Sequence, residues 1–141
     1  MASYISADEL ARLVGDPRQT PGADYLIVDV RDEDYHIGHI PGAVNVPAHD
    51  IRLRAGELID KYGQVPRIVF HCALSQQRGP KSARVYSEIA QERLMIEGPG
   101  SPLAKQTVQV LRGGFVGWAD RFLRTKPELV EDFDQARWDA L

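Results

Sequence analysis

One segment concentrates reactive chemistry: Val69-Phe70-His71-Cys72-Ala73-Leu74-Ser75-Gln76-Gln77-Arg78-Gly79-Pro80. Cys72 is the single cysteine, and Arg78 follows it after five intervening residues. A thiolate is a strong nucleophile. A guanidinium presents a planar fork of donors that fits the oxygens of a phosphate-like anion. The run Arg67-Ile68-Val69-Phe70 reads as a buried strand ending at His71-Cys72, and Pro80 opens a helix that runs to about Arg93. Ligands of parallel α/β sheets sit at the C-terminal ends of strands. A helix N-terminus adds unpaired N–H groups and the positive end of its dipole. The spacing therefore predicts an oxyanion cradle formed by Ala73, Leu74, Ser75, Gln76, Gln77, Arg78 and Gly79, with Cys72 at its base as nucleophile. The dipole and Arg78 would favour the thiolate, and Ser75 could donate a hydroxyl hydrogen bond to it. Cys72 as a small buried hydrophobe and Arg78 as a surface cation is the plainer alternative. The joint occurrence of strand, His-Cys, spacers, Arg-Gly-Pro and helix favours the anion site.

The flanking elements alternate. Ser6-Ala7-Asp8-Glu9 is a capping-box pattern, predicting a helix over 7–14 that stops near Gly15 and Pro17. Tyr25-Leu26-Ile27-Val28-Asp29-Val30 is a continuous apolar run suited to a strand covered on both faces. Gly38, Pro41 and Gly42 break the chain before a short strand at Ala43–Val46. A helix is expected over 50–62 and a loop over 94–106, which holds Gly98, Pro99, Gly100 and Pro102. Thr107–Leu111 reads as a strand, and Gly113-Gly114 precedes a last helix with Phe115, Trp118 and Phe122 on one face. Strands alternating with helices predict an α/β domain with a mainly parallel sheet.

A chain of 141 residues suits one domain, here a core over about 4–124 and an acidic tail over 125–141. Phe133 and Trp138 are candidates to pack that tail back. The 17 basic and 20 acidic residues leave a net charge of −3, which argues against a broad nucleic-acid footprint. No apolar run approaches the roughly 20 residues of a membrane span. Met1-Ala2-Ser3 leads into Asp8-Glu9 without the pattern of a secretory signal. A lone cysteine excludes an intrachain disulfide, and the four histidines lack metal-ligand spacing, so no metal is expected. A reducing cytoplasm, or the nucleus, is the expected compartment.

His71-Cys72-x-x-Ser75-x-x-Arg78-Gly79-Pro80 resembles the active loop of the rhodanese-fold M-phase inducer (cell-division-cycle) phosphatases and of the related small fungal and protozoan arsenate reductases. Asp29-Val30-Arg31, Gly38-His39-Ile40-Pro41-Gly42-Ala43 and Leu111-Arg112-Gly113-Gly114-Phe115 resemble rhodanese signatures, in order, so the likeness spans about Tyr4 to Phe122. The resemblance implies a five-stranded parallel sheet flanked by helices. It also implies a phosphatase or arsenate reductase, because sulfurtransferases of this fold carry a loop one residue shorter. The substrate would be a phosphate monoester or arsenate. No tightly bound cofactor is implied. With Cys72 alone, arsenate reduction would need an external thiol, glutathione or a redoxin such as glutaredoxin. The loop departs from the M-phase inducers in having no carboxylate between Cys72 and Arg78, so an in-loop general acid is not expected. A sulfurtransferase with a Cys72 persulfide, and a non-enzymatic phosphate-binding or redox-sensing module, are the competing readings.

Four residues are expected in support. Asp29 and Arg31 should form an ion pair beneath the loop, with Glu33 as a further partner. His39 should stabilise the Gly38–Gly42 turn, and His71 should orient the loop through a backbone hydrogen bond. Asp120, Asp132 and Asp134 are general-acid candidates if they fold over the pocket, and the Gly98–Pro102 loop is a candidate rim.

Overall fold

A computed structural model describes residues 2–141. Five parallel strands form one sheet in the order β1-β5-β4-β2-β3: β1 (Ser3–Ile5), β2 (Leu26–Asp29), β3 (Val44–Asn45), β4 (Arg67–His71) and β5 (Thr107–Leu111). Alternation along the strands splits the core. Leu26, Val28, Ile68, Phe70 and Val110 face α2 (Ile51–Tyr62) and α3 (Arg78–Glu97). Ile5, Ile27, Val69 and Leu111 face α1 (Ala7–Val14) and α4 (Gly114–Phe122). Both faces are covered, which is why β2 and β4 read as unbroken apolar runs. β4 lies at the centre, so the chain leaves the middle of the sheet at Cys72.

The predicted capping box is present. Ser6 Oγ accepts from the Glu9 N–H at 3.1 Å, and Glu9 Oε1 accepts from the Ser6 N–H at 3.4 Å. Two differences from the sequence reading matter. No apolar run marks β1 in the sequence, because it is three residues long and buries only Ile5. It exists because it adds to the edge of β5. α3 begins at Arg78 rather than Pro80 and continues to Glu97, so the expected loop over 94–106 is helix for its first four residues and a 3₁₀ turn over Pro102–Lys105. The tail does pack back. Trp138 lies 6.2 Å from Phe115 and 5.7 Å from Phe133, ring to ring, on the short helix α5 (Gln135–Asp139). No helix among the described residues is long and apolar enough to cross a membrane.

Candidate active site

Cys72 is 3% exposed, and its Sγ accepts a hydrogen bond from the Gly79 N–H at 3.2 Å. The first turn of α3 thus points a backbone donor at the sulfur. Between them, the loop bends without a repeating hydrogen bond. Among the described residues, no backbone acceptor takes the N–H groups of Ala73, Leu74, Ser75, Gln76, Gln77 or Arg78. Unpaired backbone donors at a helix N-terminus are what an oxyanion requires. Ser75 holds this curve with a left-handed φ of 55°, a conformation costly for a residue other than glycine. Its hydroxyl is buried and has no hydrogen-bond partner, so the expected bond to the sulfur is not made.

The loop rests on α4. Phe115 N–H donates to Cys72 O and Val116 N–H to Ala73 O, each at 2.9 Å. Gly114, at φ +58°, allows this approach: a Cβ there would lie 2.5 Å from Ala73 O and 2.6 Å from Cys72 O. Gly79 is close-packed too, its virtual Cβ 3.3 Å from Cys72 N. In the sequence the Gly113-Gly114 pair reads as punctuation between strand and helix; its place beneath the loop comes from the tertiary structure.

Arg78 is the first residue of α3, half-buried, and pairs with Asp34 through Nη2–Oδ2 at 3.0 Å and Nη1–Oδ1 at 3.4 Å. The Asp34 carboxylate raises the Arg78 pKa, keeping the guanidinium charged. Asp34 lies in a 3₁₀ turn over Glu33–Ile37, and sequence reasoning did not single it out. The signal available was only its place among several acids after Arg31.

Asp29 and Arg31 form the expected buried pair, with Arg31 Nη2 on Asp29 Oδ2 at 2.7 Å. Glu33 is not part of it. Arg31 instead donates to the carbonyls of Asp34 at 3.1 Å and Gly38 at 2.7 Å, and its guanidinium lies 4.2 Å from the Phe115 ring centre. Carbonyls satisfy the buried fork without desolvating a second carboxylate. Asn45 adds its side-chain amide to the carbonyls of Asp29 and Arg31, both at 2.9 Å. Burial opposes charge on Asp29, but His71 and the Arg31 fork outweigh it and hold the carboxyl below its usual range. His71 is fully buried, with Nδ1 3.1 Å from Cys72 O and Nε2 3.6 Å from Asp29 Oδ2. Burial depresses its pKa despite the Asp29 charge. Its Nδ1 thus meets the loop backbone, while its Nε2 faces Asp29 without a hydrogen bond.

Other candidates are drawn elsewhere. His39 stacks on Tyr35 at 4.4 Å, exchanges backbone hydrogen bonds with Glu131, and sits 3.5 Å from Asp132. It ties the turn to the tail. Asp134 caps α5 by accepting from the Arg137 N–H, Asp132 is engaged with His39, and Asp120 lies exposed on α4. The Gly98–Pro102 loop does not rim the cradle. It follows the far end of α3, a helix of 20 residues and so about 30 Å long. It precedes a hydrogen bond from the Thr107 N–H to Pro66 O, at the N-terminal ends of β5 and β4, opposite the active loop.

The chain is similar to known proteins. Residues 6–121 match the rhodanese-like domain family. The dual specificity phosphatase ibp1 of Schizosaccharomyces pombe is 34% identical over 128 residues, covering 85% of this chain and 90% of that protein. Arsenate reductase 2.1 of Oryza sativa subsp. japonica is 35% identical over 117 residues, covering 82% of this chain and 66% of that protein. The solved structure of an As-Sb reductase from Leishmania major superimposes with a TM-score of 0.69 at 28% identity, covering 92% of this chain and 85% of that one. With Cys72 at the end of the central strand and the sheet order it implies, the chain belongs to the rhodanese-like domain family.

Proposed function

We propose that this chain is a cysteine-dependent enzyme of oxyanion substrates, hydrolysing phosphate monoesters, reducing arsenate, or both. The observation that carries this reading is the run of backbone N–H groups from Ala73 to Arg78 left without acceptors, closing on Cys72. Such donors suit the equatorial oxygens of a tetrahedral or trigonal-bipyramidal centre better than a single sulfur atom. The phosphatase ibp1 and the arsenate reductases among its relatives support it.

In the hydrolytic reaction the Cys72 thiolate attacks phosphorus and the ester oxygen departs with the bonding pair. The loop N–H groups and Arg78 hold the three equatorial oxygens. Water then attacks the thiophosphate, releasing phosphate and regenerating the thiolate. No carboxylate lies between Cys72 and Arg78, so leaving groups that are stable as anions, such as aryl oxides, are favoured. In the reductive reaction the Cys72 thiolate bonds to arsenic(V) as one As–O bond breaks and that oxygen leaves, protonated, as water. An external thiol attacks the sulfur, a mixed disulfide forms, and arsenite leaves with the two electrons. A second thiol, from glutathione or a glutaredoxin, restores Cys72. A reducing, cytoplasmic setting fits this cycle.

The test compares an aryl phosphate, arsenate with glutathione, and thiosulfate with cyanide on one preparation, beside Cys72→Ser. Turnover of the first or second that Cys72→Ser abolishes is expected, with phosphate binding retained. Residual aryl-phosphate turnover within tenfold of wild type would refute the nucleophile. Thiocyanate formation without the other two would assign a sulfurtransferase.

A further inference from the structure

The end of the chain is fastened to the turn that carries Asp34. Trp118 Nε1 donates to Leu129 O at 2.8 Å and anchors the start of this segment. Glu131 and His39 then exchange backbone hydrogen bonds at 2.8 and 3.0 Å, and the Asp134 N–H donates to Ile37 O at 2.7 Å. Phe133 packs on Gly38, where a Cβ would stand 3.2 Å from its Cδ1. The Gly38 carbonyl, with that of Asp34, takes the Arg31 fork, and Arg31 lies against the Phe115 ring. Trp138 touches both Phe115 and Phe133. Arg31, Phe115, Trp138, Phe133 and Gly38 therefore form a closed circuit of contacts around the turn. The turn itself is a 3₁₀ segment with no side-chain cap among the described residues, so its position depends on what packs against it. α5 has five residues, too short to hold itself helical, and depends in turn on its two aromatic anchors and on the Asp134 cap.

We propose that Phe133 and Trp138 are positioning residues of the oxyanion site, holding Asp34 on Arg78 and so weakening oxyanion binding. It rests on the oxyanion reading above. The fork of Arg78 that an oxyanion needs is the one Asp34 occupies, at 3.0 and 3.4 Å. With the tail in place the turn cannot swing away, and an incoming oxyanion must compete with a carboxylate fixed beside it. Loosening the tail frees the turn, and Asp34 gives way more easily.

The test measures the concentration of inorganic phosphate that half-protects Cys72 from iodoacetamide, a readout that needs no turnover. Trp138→Ala, and Asp134→Ala, which removes the α5 cap, should each lower it about two- to fourfold, the worth of one partly exposed ion pair. Trp138→Phe keeps a ring between Phe115 and Phe133 and should stay near wild type. With Asp34→Asn already present, Trp138→Ala should add nothing, a ratio of about one. Thermal melts establish that each variant is folded. A tail that only stabilises the fold would lower the melting temperature and leave the phosphate concentration unmoved. That result, or a raised concentration, overturns the proposal. An equal gain in the Asp34→Asn background overturns it too, because the effect would then bypass Asp34. Failure of phosphate to protect wild-type Cys72 at all defeats the oxyanion reading, and the positioning role with it.

Discussion

Arg78 serves two masters. Its guanidinium is the only side-chain fork in the loop, yet in this structure it is held by Asp34, 3.0 Å away. A bound oxyanion must share or displace that carboxylate. Arg78→Lys keeps the charge but loses the two-pronged geometry. We expect kcat/KM for an aryl phosphate to fall by about a hundredfold or more, the usual cost of a lost oxyanion donor. An unchanged value would place Arg78 outside the reaction. Asp34→Asn should act the other way on binding. The pair is about a third exposed, so its loss changes affinity only modestly. Inorganic phosphate should protect Cys72 from alkylation at a concentration roughly two- to fivefold lower. Weaker protection would show instead that Asp34 aims Arg78 at the substrate.

The active loop depends on its neighbours more than on itself. α4 supplies two N–H donors to its base, and β4, β2 and the Glu33–Ile37 turn are joined to it through His71, Asp29 and Arg31. Two glycines of α4 separate these demands. Gly114→Ala would drive a Cβ into the Ala73 and Cys72 carbonyls at a positive φ, with backbone on both sides. We expect a loss of stability of about 2–4 kcal/mol and a sharp loss of Cys72-dependent turnover. Gly117 lies in the same helix with open space at its Cβ, so Gly117→Ala should stabilise by up to about 1 kcal/mol. Chemical denaturation of the two variants checks both signs. A mild effect at Gly114 would mean that the loop adjusts freely.

Acid should destabilise the whole molecule before the ordinary carboxylate range is reached. His71 is buried with its pKa depressed. The unfolded chain takes up a proton there near pH 6.5 while the folded one does not, so stability is full above that value and falls as pH drops below it. Asp29 is also depressed, and its contribution persists to lower pH, being lost only below about 4. The melting temperature should therefore decline from pH 7 to 5, and His71→Gln should flatten that decline even though it lowers the starting value. An equal slope in the variant would remove His71 as the cause.

Local chemistry made much of this protein legible from its residues alone. Continuous apolar runs at Leu26–Val28 and Ile68–Phe70 signal strands covered on both faces, and the Ser6–Glu9 box sets the start of α1. Cys72, Arg78 and Pro80 mark the passage from strand to loop to helix. These signals work because propensity, capping and spacing act within a few residues. β1 escaped because a three-residue edge strand with one buried side chain is defined by its partner β5, not by its own pattern. Asp34, Asn45 and Gly114 escaped for a related reason. Each meets its partner across a long stretch of sequence, Asp34 with Arg78, Asn45 with the Asp29 and Arg31 carbonyls, and Gly114 with Ala73. The same holds for the placement of the Gly98–Pro102 loop, which reads as a candidate rim until the length of α3 carries it to the opposite end of the strands. Which distant groups meet is settled by how the helices and sheet pack, and no short-range pattern encodes that.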